Sequence, residues 1–345
     1  MLHSLFIANF RLFRELRIKR LGRVNLITGK NGSGKSCLLD ALYIYYGRAD
    51  PRILLELIDR QNDLSNLIHP SPIHTVEDKT LPLHTLFKDG KLPSGPHESI
   101  QIGNFTDHDR LRIYLADDAK KEEGTNPSLV CDINGIVQIL APAPLPAPSN
   151  TLWPTSMAMT RIQYIRPGGL NHAQINHLWD RIQLTTREEW VIEALNILYP
   201  KITRLAFIGP NGEHQHRMAI VTLNQIRTSL STLGSGINRL LPIILAMVNA
   251  DAGVVLLDEM ENGLHWTVHY QLWRILFHLA NQLDIQLFAT THSKDCILGF
   301  HDAWKETPNA GAFFRLDPDP EAGAQAIHYS LKGLSHALET QTEMR

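Results

Sequence analysis

The sequence predicts an α/β protein with a largely parallel central sheet, and two stretches of the chain carry that prediction. In the first, residues 23–46, a short apolar run ends at Gly29, enters a glycine-rich loop and continues as a helical pattern. The second, residues 237–300, alternates predicted helices at 237–250, 266–283 and 293–300 with predicted strands at 253–257 and 285–290. Because alternating strands and helices wind into parallel sheets, the two ends of the chain are expected to share one core.

The other elements follow from hydrophobic periodicity and turn signals. Strands at 2–10 and 15–20 are predicted to pair as a hairpin with one wet face, and Asn134-Gly135 marks a second hairpin. Further strands are predicted at 99–105, 111–115, 128–133, 136–140, 160–165, 202–208 and 217–223, and helices at 36–46, 51–67, 171–182 and 187–198. Asp317-Pro318-Asp319 is interpreted as a turn before a final strand and helix.

The whole chain, residues 1–345, is interpreted as one folded unit. Residues 1–67 and 201–345 are assigned to a nucleotide-binding core, 68–150 to a loop- and strand-rich insertion, and 151–200 to a helical lobe. The alternating prolines of 141–148 predict a stiff, extended surface crossing between lobes.

Composition narrows the class of protein. With 43% hydrophobic residues, 20% charged residues and a net charge of −2, the chain has globular composition and no global basic field. Its three cysteines (Cys37, Cys131 and Cys296) are widely spaced, which argues against a disulfide framework or a zinc site. The longest apolar run, Leu240 to Val248, contains Pro242 and is far shorter than a membrane span. A cytosolic protein without membrane contact is expected.

The glycine-rich loop Gly29-Lys30-Asn31-Gly32-Ser33-Gly34-Lys35-Ser36 is a full match to the phosphate-binding P-loop, between strand and helix. Glycines let backbone N–H groups wrap phosphates, and the following helix turns its positive end toward the anion. Lys35 is expected to reach the β- and γ-phosphates of ATP and Ser36 to ligate Mg²⁺. The candidate nucleotide contacts of the loop are Asn31, Gly32, Ser33, Gly34, Lys35, Ser36 and Cys37. The alternative is a glycine-rich turn of no chemical meaning.

Two strand ends supply further candidates. The apolar run 254–257 pushes Asp258 and Glu259 out beside the P-loop, the pattern of a Walker B strand. Asp258 is expected to hold Mg²⁺ and Glu259 to act as general base on the attacking water. His292, after Thr290-Thr291, is placed to sense the γ-phosphate. Solvated acids and a structural histidine are the alternatives.

These motifs resemble the ABC-type ATPases of the SMC/RecF/OLD group, and most closely the stand-alone prokaryotic AAA-type ATPases related to the head of the OLD nuclease. The likeness lies in residues 233–293 and in the opening strand that ends Ala8-Asn9-Phe10-Arg11. It implies a P-loop NTPase of ABC-ATPase type, with a mixed sheet, an N-terminal antiparallel portion, and a helical lobe between the P-loop and the signature motif.

The resemblance also implies a dimer. Leu233-Gly234-Ser235-Gly236 corresponds to the signature motif, and Gly234, Ser235 and Gly236 would contact the γ-phosphate bound to the other protomer. Serine comes one place later than in the common Leu-Ser-Gly-Gly pattern. An alternative is that Ser235 simply caps the next helix. Glu261-Asn262-Gly263-Leu264-His265 fits the OLD-like D-loop.

The predicted function is an ATP-driven switch in which two ATP molecules close a homodimer and hydrolysis reopens it. The resemblance implies a role in prokaryotic defence against phages or plasmids, or in DNA processing. Because the chain ends at Arg345, too soon after His292 for a Toprim nuclease domain, the effector is expected to be a separate protein such as a nuclease.

Other functions stay open. A RecF-like DNA-binding repair protein is supported by the basic opening segment, especially Arg14, Arg17 and Lys19. The alternative interpretation of these residues is the wet face of a hairpin. A low-turnover scaffold that cages a toxin or nuclease is a third class, and a transporter ATPase is disfavoured by His265. No Q-loop glutamine can be placed; Gln163 is a weak candidate and is better explained as a strand residue. A metal held by His265 and His269 is disfavoured because no acidic third ligand has suitable spacing.

Overall fold

The computed structural model describes residues 1–68, 83–93, 95–105, 109–116, 128–142, 161–209, 217–234, 236–250 and 252–344. Several predictions fall wholly or partly beyond these ranges: the loop around 68–96, most of the proline run 141–148, and Ser235. The predicted domain boundaries stay predictions. None of the helices within the described ranges is long and apolar enough to cross a membrane.

A six-stranded sheet forms the centre of the fold, as the alternation of strands and helices predicts. Its strands, from edge to edge, are β15 (Gly323–Tyr329), β14 (Gly311–Asp319), β3 (Val24–Gly29), β13 (Gln286–Thr290), β12 (Val254–Leu257) and β8 (Ile162–Ile165). All neighbours are parallel except β14 and β15, which form an antiparallel hairpin. The sheet is therefore mixed, with a parallel centre.

Strand β14 was not predicted from the sequence, and the predicted turn at 317–319 was wrong. Asp317, Pro318 and Asp319 are the last residues of β14, and the turn follows at 320–322. Pro318 pairs with Ala324 of the edge strand β15. An antiparallel hairpin at the sheet edge accommodates the proline, which in sequence looks like a strand breaker.

Helices cover the central sheet. They are α1 (Lys35–Tyr46), α2 (Pro51–Ile68), α3 (His172–Asp180), α4 (Arg187–Leu198), α5 (Ile237–Asn249), α6 (His269–Gln282), α7 (Lys294–Glu306) and α8 (Leu331–Glu339). The predicted start of α6 at 266 was wrong, because Trp266–Val268 form a separate 3-10 turn. The predicted end of α7 at 300 was also wrong, because Ala303 and Trp304 continue its buried face.

A second, antiparallel sheet contains the N-terminal hairpin. Its order is β2 (Phe13–Ile18), β1 (Leu5–Phe10), β4 (Ile100–Gly103), β5 (Arg110–Ala116), β6 (Ser128–Ile133) and β7 (Ile136–Pro142). Asn134 and Gly135 both have positive φ (55° and 82°), which confirms the predicted hairpin turn. Residues 141 and 142, expected in the proline-rich crossing, belong to β7.

A small third sheet has the order β11 (Ile226–Ser229), β10 (Met218–Leu223) and β9 (Ile202–Ile208). The short strand β11 was not predicted from sequence. It leads through a 3-10 turn, Leu230–Leu233, into the segment that precedes α5.

Two hydrophobic cores lie on opposite faces of the central sheet. Val255 and Leu257 of β12 belong to the core beneath α5, α6 and α7, whereas Val254 and Leu256 belong to the core shared with α1 and the N-terminal sheet. Since strand side chains alternate between faces, an unbroken apolar run is needed to fill both cores. The site-bearing strand is therefore held from both sides.

Leu256→Ala is expected to lower the free energy of unfolding by about 2–5 kcal/mol, because it leaves a cavity in a core on which the sheet rests. Leu184→Ala is the matched control, since Leu184 is 96% exposed while Leu256 is fully buried. The control is expected to shift stability by less than about 0.5 kcal/mol in chemical denaturation. Equal effects of the two substitutions would contradict the placement of β12.

Candidate functional site

The P-loop connects the carboxyl end of β3 to the start of α1 at Lys35. Gly34 precedes the helix with φ +96°, and a Cβ built there would lie 2.8 Å from the Phe13 ring. Gly29 has φ +144°, and its Cβ would lie 2.4 Å from the Leu316 carbonyl oxygen. Glycine is therefore required at both ends of the loop by conformation and by space.

Lys35 is buried inside this loop. Its Nζ donates to the carbonyl oxygens of Gly29 (2.8 Å) and Lys30 (3.0 Å). Burial lowers the pKa of Lys35, and three nearby carboxylates oppose that shift. In decreasing order of effect they are Asp258, Glu259 and Glu261. The ammonium group thus lies between the loop and the acidic ends of neighbouring elements.

The remaining loop residues offer polar groups of different accessibility. Asn31, Gly32 and Ser36 are exposed, whereas Ser33 is buried and its Oγ has no hydrogen-bond partner among the described residues. The Ser36 side chain lies near the Asp258 carboxylate and opposes the rise in the pKa of that acid. Cys37 is half-buried, and burial raises the pKa of its thiol.

Asp258 follows β12 and is 4% exposed. Its backbone N–H donates to the Ile165 carbonyl at 2.8 Å. The Thr290 hydroxyl donates to Asp258 Oδ1 at 2.6 Å and accepts from the Glu259 backbone N–H at 2.9 Å. Burial raises the pKa of Asp258, against the opposing effects of Thr290 and Ser36. One hydroxyl on β13 therefore fixes two consecutive residues at the end of β12.

Glu259 lies beside His292. Glu259 has a left-handed backbone conformation (φ +47°), and its Oε1 is 4.0 Å from His292 Nε2. Both side chains are partly open to solvent, at 36% and 30% exposure. Burial and then Lys35 lower the pKa of His292, against opposing effects of the three acids, so the imidazole is neutral at pH 7.

The structure adds groups to which sequence analysis gave no role. Glu261 Oε1 accepts from the His292 backbone N–H at 2.6 Å, and Asn262 Nδ2 donates to Glu259 Oε2 at 2.8 Å. Thr290 was seen only as part of a tetrapeptide. All three residues lie in motifs that are visible in the sequence, but the sequence does not show which atoms they contact.

Arg239 is a further missed residue, three places after Gly236 in the first turn of α5. Its guanidinium donates to the carbonyl oxygen of Arg166 (3.2 Å) and lies 3.4–3.5 Å from those of Asp258 and Glu259. Burial lowers the pKa of Arg239, opposed by nearby acids. The start of α5 is thereby joined to the end of β12.

A buried ion cluster holds α1 in place behind the loop. Asp40 of α1 pairs with Arg11 and, at 3.5 Å, with Arg166, and it accepts from the Tyr164 hydroxyl at 3.1 Å. Burial raises the pKa of Asp40, opposed first by Arg11 and then by Arg166. Gln163, the weak Q-loop candidate, lies within β8 opposite Val255.

The predicted signature glycines are not in contact with the P-loop of the same chain. Gly234 is exposed and Gly236 half-exposed, and Cβ atoms built on them would approach only Tyr199 (4.0 Å) and Leu264 (3.9 Å) among non-adjacent residues. Ser235 lies outside the described residues, so its predicted contact stays untested. Gly236 directly precedes α5, and the alternative that Ser235 caps this helix also stays a prediction.

The two histidines at the start of α6 are separated by burial. His265 is exposed and its Nδ1 is 2.9 Å from Thr267 Oγ1, whereas His269 is buried. Within the described ranges, no three His, Cys, Asp or Glu side chains are arranged to hold a metal ion.

Comparisons with known proteins fit this geometry. Residues 171–297 match the model of an AAA ATPase domain, and residues 4–53 match that of an AAA domain. An ATP/GTP phosphatase of Helicobacter pylori is 25% identical over 345 aligned positions, covering 86% of each chain. An uncharacterized protein of Methanocaldococcus jannaschii is 44% identical over 45 residues, covering 13% of this chain and 20% of that protein.

Solved structures show the same fold. The SMC head domain from Thermotoga maritima is 15% identical with a TM-score of 0.50, covering 95% of this chain and 99% of that one. An SMC head bound to the C-winged helix domain of ScpA is 14% identical with a TM-score of 0.55, covering 96% and 98%. At such identities the likeness establishes architecture alone. The chain therefore has the fold of a P-loop NTPase with SMC head-like architecture, and two of its segments match AAA ATPase domain models, which supports ATP hydrolysis.

Proposed function

We propose that the protein is an ATP-driven switch in which two copies close around two ATP molecules and separate after hydrolysis. The observation that carries the proposal is the convergence of Lys35, Asp258, Glu259 and His292 at one edge of the sheet, while the signature glycines of the same chain stay open. Each chain would then bind one ATP at its own P-loop and present its signature glycines to the ATP bound by a partner.

The triphosphate would be bound by the P-loop. Backbone N–H groups of residues 31–36 and the positive end of α1 would surround its β- and γ-phosphates, with Lys35 released from its two carbonyl acceptors to pair with them. The buried, unpartnered Ser33 Oγ is available as one more donor. ATP would thus provide the Lys35 ammonium and the Ser33 hydroxyl with negatively charged phosphate partners.

Ser36 and Asp258 fit a Mg²⁺ ion. The Ser36 side chain lies near the Asp258 carboxylate, and hydroxyl and carboxylate oxygens are the ligands that Mg²⁺ prefers alongside phosphate oxygens. Bound there, Mg²⁺ would neutralise charge that develops on the phosphates. The Thr290 hydroxyl keeps the Asp258 carboxylate turned toward this position.

Glu259 is assigned as general base for the attacking water. Its carboxylate is partly open to solvent, and Oε1 lies 4.0 Å from His292 Nε2, close enough for one water at the side of this pair to contact both. The neutral imidazole of His292 can donate to the γ-phosphate or to that water without adding a permanent charge. Hydrolysis would follow from positioning and electrostatics rather than from covalent catalysis.

The dimer is proposed from exposed groups next to the site. The open glycines at the start of α5 offer backbone N–H groups for an anion from outside the chain. Trp266, 62% exposed, lies on the turn that follows Glu261–His265 and stacks with His265 at 5.7 Å between ring centroids. Exposed tryptophans are enriched among residues that carry binding energy in interfaces.

The biological role is proposed only as a class of system and a class of effector. The OLD-like D-loop at 261–265 favours a prokaryotic defence or DNA-processing system with a separate effector protein. The comparisons bear on the enzymatic activity and on separate partners only: the Helicobacter relative is named as an ATP/GTP phosphatase, and an SMC head was solved bound to a domain of ScpA. A nuclease is the effector class that the resemblance suggests.

Glu259→Gln is expected to lower kcat by about 100- to 10,000-fold, because the amide cannot accept the proton of water. ATP binding should be retained, so the variant should elute as a dimer with Mg·ATP and as a monomer without it in size-exclusion chromatography. Lys35→Ala is the control that should stay monomeric. A Glu259→Gln protein that binds ATP yet stays monomeric would refute the closing dimer.

Gly236→Val is expected to abolish dimerisation and turnover while leaving ATP binding by the monomer intact. The isolated chain has room there, since the nearest non-adjacent atom to a Cβ is Leu264 Cδ2 at 3.9 Å, but the partner's γ-phosphate would meet the added side chain. Equilibrium binding of ATP and steady-state turnover separate the two effects. Undiminished hydrolysis would show that Gly236 does not contribute to a shared site.

A DNA-binding clamp remains a second candidate because of one surface feature. Arg17 and Arg110 lie over the Phe6 ring at 5.8 and 3.9 Å, on one row that crosses β2, β1, β4 and β5. Arg14 and Lys19 are also exposed in or next to β2, while Arg17 pairs with Glu15 at 2.7 Å, so four basic side chains and one acid lie in this part of the sheet.

If the protein is a clamp, replacing Arg14, Arg17 and Lys19 with Gln is expected to weaken its binding to duplex DNA. The slope of log affinity against log salt concentration should become shallower by the contribution of about three phosphate contacts. The control replaces Lys201, Lys305 and Lys332, which are exposed elsewhere. Fluorescence anisotropy across a salt series measures both. Similar losses in the two triple variants would favour nonspecific attraction over a DNA-binding face.

A further inference from the structure

We propose that Asn262 and Glu261, two residues of one short turn, are positioning residues for hydrolysis. Asn262 acts by orienting Glu259, and Glu261 acts by fixing the backbone of His292. The inference rests on the proposed function, because it takes Glu259 as the base. It adds two residues to which neither the motifs nor the comparisons assign a task.

Asn262 holds the carboxylate of Glu259 in a fixed orientation. Its backbone N–H donates to the Glu259 carbonyl at 3.1 Å, which closes a turn, and its side-chain Nδ2 donates to Glu259 Oε2 at 2.8 Å. A carboxylate can only accept, so the amide nitrogen must be the atom that faces it. With Oε2 engaged, Oε1 is the oxygen left facing His292.

Glu261 holds the backbone that carries His292. Its Oε1 accepts from the His292 N–H at 2.6 Å, while the Met260 N–H donates to the Thr290 carbonyl at 3.1 Å. The turn is thereby tied to the β13–α7 connection through two bonds in succession. Hydrogen bonds to a charged acceptor are among the strongest that side chains make.

The two anchors act on opposite sides of the same small space. Asn262 orients the base, and Glu261, the residue before it, fixes the backbone from which the imidazole extends. Leu264, whose N–H donates to the Glu261 carbonyl at 3.0 Å, also borders Gly236. A displacement of the turn by a partner at the signature glycines would therefore move base and imidazole together.

Three Asn262 variants separate orientation from mere packing. Asn262→Ala is expected to lower kcat by about 10- to 100-fold while the Kd for the non-hydrolysable analogue AMP-PNP stays unchanged. Asn262→Asp keeps the shape but places a like charge against Glu259, so its kcat is expected below that of Asn262→Ala. A purely structural role predicts the opposite order, because the isostere would pack better. Asn262→Ser, too short to reach Glu259, replaces the alanine variant if that protein fails to fold.

Glu261 is tested by a conservative rescue. Glu261→Ala removes the acceptor of the His292 N–H and is expected to lower kcat by about tenfold or more. Glu261→Gln keeps an acceptor oxygen and is expected to recover most of that loss. The control Asn281→Ala, an exposed asparagine at the far end of α6, should match the unsubstituted protein in kcat and AMP-PNP affinity.

The outcomes distinguish the inference from the function on which it rests. If Glu259→Gln retains turnover, the assignment of the base fails and the positioning role fails with it. If Glu259→Gln is inactive but Asn262→Ala hydrolyses ATP at the normal rate, only the role of Asn262 is overturned. A Glu261→Gln protein as slow as Glu261→Ala would overturn the acceptor role of Glu261.

Discussion

The parallel register of four strands is the constraint on which the site depends. Leu257 lies opposite both Ile165 and Ala289, and Thr290 lies opposite Ile27. Since parallel strands end at the same edge of a sheet, the P-loop after β3, the acids after β12 and His292 after β13 meet although more than half of the chain separates them in sequence. A one-residue slip of β12 would also exchange its two core-facing sets of side chains.

Buried polar groups set the electrostatics at this edge. Lys35, Asp258 and Arg239 are each shifted by burial toward their neutral forms, and each is opposed by a charged or hydrogen-bonding neighbour. Separating the charged groups of this cluster would destabilise the fold, because an unpaired buried charge costs several kcal/mol, about the stability of a small domain. The Thr290 hydroxyl hydrogen-bonds both the Asp258 carboxylate and the Glu259 backbone N–H, so one small side chain fixes two residues of the site.

The two cores connect the strand that bears Asp258 and Glu259 to different parts of the chain. One core packs β12 against the N-terminal sheet and the P-loop helix, whereas the other packs it against α5, which begins directly after Gly236. Arg239 joins the start of α5 to the carbonyl groups at the end of β12. SMC heads reach the same fold with 12–15% sequence identity, so this arrangement tolerates replacement of most side chains.

Local sequence was sufficient for much of the chain. The P-loop setting, the apolar run 254–257 and the Asn134-Gly135 turn each follow from contacts between near neighbours, and the structure has them where the pattern predicted. Strands β11 and β14 were missed because a four-residue strand carries little periodicity and a proline near a strand end mimics a break. Which hydroxyl and which arginine would meet the end of β12 was decided by tertiary structure alone. Hydrogen bonds such as Thr290 to Asp258 join residues from different strands, and no spacing along the chain encodes a distance of 2.6 Å between them.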